Sequence, residues 1–495
     1  MRSIRRTVLI AAAVADAAAV ATGVSAARKR DVPPPALDGE LRFDQATRDA
    51  TADDFGHLVG TSPDVVLLPG STADVAATIC WAAKRGRTFA AQGQRHSVWG
   101  RSSAPNGVVA DMSTQRFVGR ARGDRIVVGA GATWSEVLAA TLPQGKTPTV
   151  LTDYLGLSVG GTLAVGGVGG TTWRHGVQSD NVLSMVVVTG AGRTITCSAE
   201  HHPDLFDAVR AGLGQVAVIT EATLALVEAP QQVRRFVLSY PDLATMLRDE
   251  RLLVRDGRFG AVQGAIPVAP SGGVAFQVDV AKFFTGSPPD DGVLLAGLSD
   301  DPAGRKPSTI PYPDYLDRLA GLESALRANG QWFHPHPWIT TFIGDSRVED
   351  VVDDELGRID PAHDLGALGQ IVLSPIRTGA ITSPLLRTPA EELCFAFNFV
   401  RVPTTADRGN ADRLVESNRA VYERVRRNGG TLYPVSAFPM SPEDWRRHFG
   451  PAFDRLREAK RTFDPDHVLT PGYEIFEDGP RRIVEGVPRR RLSRR

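Results

Sequence analysis

The short segment Gly93-Gln94-Arg95-His96-Ser97 joins a glycine to a histidine, and both residue types can serve a bound ligand. The glycine lets the backbone approach a ligand closely, and the amides that follow can point at phosphate oxygens. The histidine can act as a base, as a metal ligand or as a point of covalent attachment. The segment alone leaves these roles open, because many loop histidines are merely solvated.

A second segment, residues 151–176 (LTDYLGLSVGGTLAVGGVGGTTWRHG), holds three glycine pairs within eleven residues. This density exceeds that of an ordinary turn and suits a backbone that runs against a large flat cofactor or its pyrophosphate. The pattern does not match a G-x-G-x-x-G fingerprint that opens a helix, so a Rossmann-type site is disfavoured. Asp153 precedes the glycines among apolar and aromatic neighbours, either as a helix cap or as a functional base.

The elements that must position these segments follow an α+β pattern with mixed strand pairing. Ser71 or Thr72 can cap a helix that runs to Lys84, and the run Gly190-Ala191-Gly192 predicts a hairpin. From about Gln232 longer helical stretches appear, which indicates a second domain. The predicted strands are 65–68, 107–112, 125–129, 185–189, 194–197, 216–226, 274–280 and 393–401, and the predicted helices are 71–84, 133–142, 203–209, 243–254, 315–328 and 411–427.

The composition is that of a soluble protein of two or three domains, with 495 residues, 42 % of them hydrophobic and 23 % charged. Lys plus Arg and Asp plus Glu both number 56, so no nucleic acid is expected as a partner. The three cysteines show no metal or disulfide spacing, and Cys80 and Cys197 are expected to be buried thiols. The pairs His201-His202 and His334-x-His336 lack a clustered third ligand, so no metal is expected.

Residues 1–26 have the organisation of a secretory signal peptide, with arginines before an Ala-rich apolar stretch and small residues near its end. Arg5-Arg6 also fits a twin-arginine signal, and the choice between the two routes stays open. Asp16 interrupts the apolar run, so no stable membrane insertion is expected. We therefore expect a secreted or extracytoplasmic protein. The Arg-rich residues 479–495 are predicted to form a solvated basic tail.

Several motifs, in order along the chain, resemble those of one family. The helix 71–84 and the loop that ends in His96-Ser97 resemble the FAD-binding domain of the vanillyl-alcohol-oxidase (PCMH-type) superfamily. Further motifs resemble the cytokinin dehydrogenases: TDYLGLSVGGTLAVGGVGG, WRHG, NVL, VVTG, TCS, GLGQVAVIT, HPWITTF, EDWRRHFG and FDPDHVLTPGYEIF.

The resemblance implies a two-domain α+β fold in which a substrate (cap) domain is inserted into a PCMH-type FAD-binding fold. The implied divisions are the FAD-binding domain at 61–230, the cap domain at 231–432 and a C-terminal return at 433–478. Residues 27–60, which are polar and contain Pro33-Pro34-Pro35, are predicted to be a linker that leads into the first domain.

The resemblance also assigns roles to residues. His96 matches the histidine that bonds the flavin, and no cysteine stands in the glycine-rich segment, so a single covalent link is implied. Asp153 matches the catalytic carboxylate, which takes the proton from a substrate N–H while flavin N5 takes a hydride. The expected cofactor-binding residues are Gly93, Gln94, Arg95, His96, Ser97, Arg101, Asp153, Ser158, Ala164, Val168, Ile219, Thr470 and Tyr473.

Three residues are expected to contact the substrate. Gln263 stands where the family has a glutamate, and Arg377 stands in the segment that reads P-M-N in the family. Gln263 carries no charge and Arg377 carries a permanent one, so both depart from the pattern for cytokinins. Trp338 is expected at the pocket wall.

The expected activity is FAD-dependent oxidation of the C–N bond of a small secondary amine, followed by hydrolysis of the imine. An N6-isoprenoid adenine is the first candidate substrate, and oxygen or another small molecule is the expected electron acceptor. One alternative is an oxidase of alcohols or sugars on the same scaffold, in which Asp153 deprotonates a hydroxyl. Another alternative is a secreted flavin-carrying protein without turnover.

Overall fold

The fold is taken from a computed structural model of the chain, which describes residues 33–269 and 272–477. The predicted signal peptide and the basic tail lie outside the described residues. The strands are β1 Glu40–Arg42, β2 Val65–Leu68, β3 Phe89–Gln92, β4 Val108–Asp111, β5 Arg125–Gly129, β6 Lys146–Pro148, β7 Val182–Thr189, β8 Thr194–Ser198, β9 Ala217–Glu228, β10 Gln232–Tyr240, β11 Ala261–Pro267, β12 Phe276–Phe284, β13 Lys306–Pro311, β14 Ile339–Gly344, β15 Gln370–Arg377, β16 Leu393–Val400 and β17 Thr431–Leu432.

The helices alternate with these strands in the first half of the chain and cover the large sheet in the second. They are α1 Gln45–Ala50, α2 Thr72–Lys84, α3 Trp134–Thr141, α4 Val159–Val165, α5 Thr172–His175, α6 Pro203–Val209, α7 Leu243–Asp256, α8 Asp291–Leu295, α9 Tyr312–Leu316, α10 Ala320–Ala328, α11 Val348–Leu356, α12 Pro361–Asp364, α13 Arg408–Arg427, α14 Pro442–Phe449 and α15 Ala452–Phe463.

Two small sheets form the first part of the molecule. One has the order β1-β2-β4-β3, with β4 parallel to both of its neighbours and β1 antiparallel to β2. The other has the order β5-β9-β7-β8, with β6 paired to β9, and it contains the predicted β7–β8 hairpin. Local signals act as expected here, because Ser71 caps α2 and Thr133 forms a capping box with Glu136 at α3.

A sheet of eight antiparallel strands forms the second part, in the order β13-β10-β12-β11-β15-β16-β14-β17. Helices α7 and α13 pack against it, and α11 packs between these two helices. Alternate residues of β11, β15 and β16 face away from this helical layer and toward the first part of the molecule. The large sheet therefore offers one face to a cavity between the two parts.

The last described segment returns to the first sheet. The Phe89 amide donates to the Val468 carbonyl over 2.7 Å, and the Thr470 amide donates to the Phe89 carbonyl over 2.8 Å. Val468 and Leu469 are buried in the same core as β2, β4 and α2. The N-terminal sheet is thus completed by residues from the far end of the chain.

The structure differs from three sequence-based expectations. Residues 27–60 were expected to form a linker, but β1 pairs with β2, Asp44 caps α1 and Phe55 joins the main core. The helix predicted over 315–328 is broken into α9 and α10, with a turn at 317–319 between them. Cys80 is half-buried rather than buried, while Cys197 is buried as expected.

Candidate active site

A cavity of about 530 Å³ lies between the glycine-rich segment, the loop that carries His96 and the inner face of the large sheet. Of the three residues expected to contact a substrate, Gln263 and Trp338 line this cavity. The residues expected to bind the cofactor also line it: Gly93, Gln94, Arg95, His96, Ser97, Arg101, Asp153, Ser158, Ala164, Val168, Ile219, Thr470 and Tyr473.

The His96 ring is one layer of an aromatic stack. It lies parallel to the Phe55 ring with centroids 4.0 Å apart, and the His336 ring stacks on the other face of Phe55 at 4.1 Å. Burial lowers the pKa of His96 to about 4 and that of His336 to about 3. Both imidazoles are therefore neutral at physiological pH, and a neutral imidazole has a free nitrogen lone pair for bond formation.

The loop that carries His96 is fastened by the buried carboxylate of Asp54. The Ser97 hydroxyl donates to Asp54 Oδ2 over 2.5 Å, and the Gly100 amide donates to the same oxygen over 2.5 Å. Backbone bonds add to this, since the Phe55 amide donates to the Arg95 carbonyl over 2.8 Å. Burial raises the pKa of Asp54 to about 6, although these hydrogen bonds oppose the rise.

Asp153 stands at the cavity wall with both carboxylate oxygens engaged. Arg318 Nη2 donates to Asp153 Oδ1 over 2.5 Å, and Gln263 Nε2 donates to Asp153 Oδ2 over 2.8 Å. Arg318 also donates to Gln263 Oε1 over 3.0 Å, which closes a triangle of three side chains. The Asp153 side chain keeps 37 % of its surface exposed, whereas Arg318 keeps 15 %. The carboxylate is therefore oriented from behind and remains accessible from the cavity.

Arg318 is a strongly held cation. Burial by itself would lower the pKa of its guanidinium, but the Asp153 carboxylate and other negative groups outweigh burial and raise that pKa above its ordinary value. The side chain also lies over the Tyr315 ring, with 4.6 Å between its Cζ and the ring centroid. It stays charged at any pH at which the protein folds.

A polar cluster closes the cavity near His96. The Tyr154 hydroxyl donates to Glu323 Oε1 over 3.0 Å, and Arg327 Nε donates to the same oxygen over 2.8 Å. Arg327 also lies over the Trp332 ring at 4.2 Å. Burial raises the pKa of Tyr154 to about 12, so its hydroxyl keeps its proton.

Two glycines show how closely the backbone approaches at this site. A Cβ built on Gly93 would lie 1.9 Å from Ser158 Oγ, and one built on Gly169 would lie 1.9 Å from the Leu151 carbonyl oxygen. Any larger residue would separate the His96 loop from α4, or the glycine-rich segment from the strand-like run before Asp153. The resulting groove of closely approaching glycine backbone lines the cavity, and a large flat cofactor fits against such a surface.

The return segment is tied to the same groove. Arg101 Nη2 donates to the Phe438 carbonyl over 2.8 Å, and its guanidinium lies over the Tyr473 ring at 5.3 Å. Thr470 donates its hydroxyl to the Gly214 carbonyl over 2.7 Å. The predicted residues Arg101, Thr470 and Tyr473 are thereby brought together from distant parts of the chain.

The structure corrects the expectation for Arg377. In β15 the residues that face the cavity are Gln370, Val372 and Ser374, so Arg377 falls on the opposite face by strand alternation. Its guanidinium donates to the Val254 carbonyl of α7 and lies over the Trp173 ring at 5.4 Å. It is exposed and does not line the cavity, so it is not a substrate contact in this structure.

Trp338 and the paired histidines are fixed by backbone carbonyls. Trp338 Nε1 donates to the Arg401 carbonyl over 2.7 Å while its ring lines the cavity. The Nδ1 atoms of His334 and His336 lie 2.9 Å and 3.1 Å from the carbonyl oxygens of Pro403 and Phe55.

Within residues 33–269 and 272–477 no three His, Cys, Asp or Glu side chains group together as metal ligands.

Sequence reasoning missed several residues of the site. Arg318 lies 165 residues from Asp153 along the sequence, and no local sequence pattern indicates that the two side chains are in contact. Asp54 and Phe55 lie in the segment that was predicted to be a linker. The apolar Phe55 and the turn residues around it could have indicated that this segment is ordered. Ser374 and Asn398 come to the cavity only through the pairing of β15 with β16.

The chain matches known protein families over both parts of the molecule. Residues 63–198 match an FAD-binding domain, and residues 292–476 match the family described as cytokinin dehydrogenase 1, FAD and cytokinin binding. Cytokinin dehydrogenase 4 of Oryza sativa subsp. japonica is 33 % identical, over 89 % of this chain and 90 % of that protein. This chain belongs to the cytokinin dehydrogenase family. It is accordingly an FAD-dependent oxidoreductase.

This cytokinin dehydrogenase family member has bacterial and plant relatives. An uncharacterized oxidoreductase of the fasciation locus of Rhodococcoides fascians is 40 % identical, over 89 % of this chain and 100 % of that protein. Cytokinin dehydrogenase 4 of Arabidopsis thaliana is 31 % identical, over 90 % of this chain and 93 % of that protein. The family assignment confirms the expected α+β, PCMH-type two-domain fold.

Among solved structures, 6-hydroxy-D-nicotine oxidase from Arthrobacter nicotinovorans superposes with a TM-score of 0.69 over 90 % of this chain and 100 % of that one. The two sequences are 20 % identical, so this likeness concerns the fold. In the part of this family member that the structure describes, no helix is both long and apolar enough to cross a membrane.

Proposed function

We propose that this protein oxidises the C–N bond of a small secondary amine, with FAD attached through His96 and Asp153 as the proton acceptor. The observation that carries the proposal is the Asp153 carboxylate, which is open to the cavity and oriented from behind by Arg318 and Gln263. FAD, when bound, supplies a hydride acceptor at N5 of its ring system. Membership of the cytokinin dehydrogenase family supports an N6-substituted adenine as the first substrate to test.

Asp153 performs the proton transfer in this proposal. Loss of a hydride from the carbon next to nitrogen leaves a cationic imine, and its N–H proton passes to a carboxylate within hydrogen-bond reach. Arg318 and Gln263 hold the carboxylate plane, so its free lone pairs point to the cavity. Water then adds to the neutral imine carbon, and the C–N bond breaks to give an aldehyde and an amine.

His96 is suited to a covalent link because burial keeps its ring neutral. A neutral imidazole would hold FAD through its free nitrogen lone pair, and the low pKa of about 4 means that almost every His96 ring is neutral above pH 6. Phe55 fixes the ring plane from one face, and Ser97 and Asp54 fix the loop behind it. Acid-precipitated protein is expected to stay yellow, and His96→Ala is expected to give a colourless pellet. His336→Ala, which removes the other imidazole of the stack, should keep the colour.

The substrate proposal is tested by anaerobic flavin bleaching. We expect N6-isopentenyladenine to bleach the flavin absorbance, while primary alcohols and sugars at equal concentration leave it unchanged. Bleaching by an alcohol or sugar alone would make the protein an oxidase of that class. A bound flavin that no donor of either class bleaches would leave a flavin carrier without turnover.

The role of Asp153 is tested by substitution. Asp153→Asn keeps the shape but removes the proton acceptor, and we expect the rate of flavin reduction to fall by about 10²–10⁴-fold. Asp291→Asn is the matched control, because Asp291 is also an aspartate paired with an arginine, Arg234, and neither residue lines the cavity. Equal losses in both variants would point to damage of the fold and would contradict a base at position 153.

We extend the proposal to export through the N-terminal signal. It is supported by the basic, apolar and small-residue order of residues 1–26. Replacing Arg5 and Arg6 by lysine should retain the flavoprotein inside the cell if the twin-arginine route is used. Undiminished export of this variant would favour the general secretory route, and an intracellular wild-type protein would refute export.

A further inference from the structure

The inner face of the large sheet carries a polar pair beyond Gln263. Ser374 on β15 and Asn398 on β16 both line the cavity, among the apolar neighbours Val372, Ala396 and Val400. Ser374 Oγ and Asn398 Oδ1 are both buried, and neither has a hydrogen-bond partner within the described residues. A buried polar atom without a partner costs on the order of 1–3 kcal/mol, so a bound group that supplies a partner to either oxygen is favoured.

Strand pairing places this pair next to the Asp153 triangle. β11 and β15 pair with Gly264 opposite Leu373, which puts Gln263 opposite Ser374 on the cavity side. Directly opposite side chains have Cβ atoms about 5 Å apart. Asn398 lies on the next strand, where it is paired with Val372 and not with Ser374. It is therefore displaced from Ser374 by one strand spacing across the sheet and by two residues, about 7 Å, along it.

We propose that Ser374 and Asn398 determine specificity, and that the preferred substrate carries a hydrogen-bonding group where it lies against β15 and β16. This inference rests on the proposed function, because it places the amine at Asp153 and the second polar group beyond Gln263. The class of substrate is thus a secondary amine with a hydroxyl or a heterocyclic nitrogen that lies between Ser374, about 5 Å from Gln263, and Asn398, about 12 Å from Gln263. Purely hydrocarbon substituents leave both oxygens without a partner and are disfavoured.

The arrangement of the pair explains what it can recognise. The serine hydroxyl donates and accepts, and the asparagine amide presents one acceptor and two donors, so together they bind either a hydroxyl or a ring nitrogen. Neither carries a charge, and within the described residues the other lining side chains of β15 and β16 are uncharged too. A neutral polar group therefore fits, whereas an anionic one finds no counter-charge among the residues of β15 and β16 that line the cavity.

The test uses matched pairs of secondary amines with the complete flavoprotein. Within each N6-alkyladenine pair, the members differ only by one hydroxyl on the alkyl chain or by replacement of one ring nitrogen with CH. We expect wild-type protein to prefer the hydrogen-bonding member of at least one pair by about 10–100-fold in kcat/KM. Ser374→Ala and Asn398→Leu should reduce that preference to less than about 3-fold while changing kcat/KM for the other member little.

Val400→Ala is the control, since Val400 lines the cavity on the same strand face and makes no hydrogen bond through its side chain. It should lower kcat/KM for both members of a pair equally. Each variant is checked for its flavin content, its resting absorbance spectrum and its melting temperature, so that a variant that fails to fold is recognised and is replaced by Ser374→Gly or Asn398→Val.

Three outcomes would overturn the inference. Wild-type protein could fail to distinguish the members of any pair, or the preference could survive in both variants. The resting flavin spectrum could also shift in Ser374→Ala and Asn398→Leu without any substrate, which would assign the two oxygens to the cofactor. If no amine bleaches the flavin while an alcohol does, the proposed function fails first, and that result is separate from all three.

Discussion

At the scale of the residue, Asp153 is held by two neighbours that differ in charge. Gln263 contributes one neutral hydrogen bond, whereas Arg318 contributes a permanent cation that is itself buried and stacked on Tyr315. Charge-assisted hydrogen bonds are about twice as strong as neutral ones. The orientation of the Asp153 carboxylate therefore depends more on Arg318 than on Gln263.

Arg318→Met should lower the rate of flavin reduction by an amine by about 10–100-fold, because the carboxylate loses its stronger support and its orientation. Arg318→Lys should recover part of the rate, since lysine restores the charge without the planar fork. Rapid-mixing measurement of flavin absorbance gives these rates directly.

Arg234→Met is the matched control, because Arg234 is a partly buried arginine with its own partner, Asp291, and does not line the cavity. An Arg318→Met variant that reduces its flavin as fast as the wild type would show that Asp153 needs no support from the guanidinium.

At the scale of the element, the loop 93–100 and the segment 54–56 act as one unit. Asp54 accepts hydrogen bonds from the Ser97 hydroxyl and the Gly100 amide. Its pKa is about 6, so its protonation changes within the pH range used for measurements on folded proteins. His96 has a pKa of about 4 and stays neutral over that range. The two groups therefore titrate in separate windows.

Covalent attachment of FAD to apoprotein should weaken as the pH falls through about 6, because protonated Asp54 loses its charge as an acceptor and releases the loop. Asp54→Asn should attach less flavin than the wild type at pH 7.5 and show no such pH step. The measurement is the flavin that stays with acid-precipitated protein after incubation between pH 5 and pH 8. A pH step of equal size in Asp54→Asn would assign the step to another group.

Elements were more predictable from the sequence than their contacts. The bounds of β2, β5 and α6 match the expectation, and the Ser71 cap starts α2 as predicted, because caps, breakers and periodicity act locally. The glycine pairs are a local signal as well, and Gly160, Gly161, Gly167 and Gly169 line the cavity. The Asp153–Arg318 contact and the orientation of Arg377 depend on strand register and long-range packing, which local patterns do not encode.

At the scale of the whole molecule, the large sheet separates a polar cavity from a helical layer that contains several buried acids, Glu250 among them. Glu250 on α7 is fully buried, and neither of its carboxyl oxygens has a partner within the described residues. Burial raises the pKa of Glu250 well above its usual value, against the weaker effect of Arg251. A Cβ on Gly264 of β11 would lie 2.5 Å from this carboxyl, so the helix sits tightly on the sheet there.

Glu250→Gln should stabilise the protein at pH 8 and leave its stability near pH 4 almost unchanged. The folded wild type keeps the proton on Glu250 while the unfolded chain releases it above about pH 4.5, so its free energy of unfolding falls as the pH rises through that value. The glutamine variant lacks this loss. Melting temperatures of both proteins at pH 4 and pH 8 measure the difference.

Glu416→Gln, an exposed substitution in the middle of α13, is the control and should shift the melting temperature at neither pH. A destabilised Glu250→Gln at pH 8 would mean that the carboxyl is ionised in the folded protein and has a counter-charge.

The return of Val468 and Leu469 to the N-terminal sheet has a consequence for synthesis on the ribosome. The N-terminal sheet and its core cannot be completed until Val468 and Leu469 have been synthesised, about 240 residues after the end of β9. At a synthesis rate of about 5–20 residues per second, the incomplete N-terminal domain is exposed for roughly 12–48 s. A nascent chain of this kind needs shielding during translation, and a premature stop anywhere in the inserted region would yield two unfinished domains rather than one finished one.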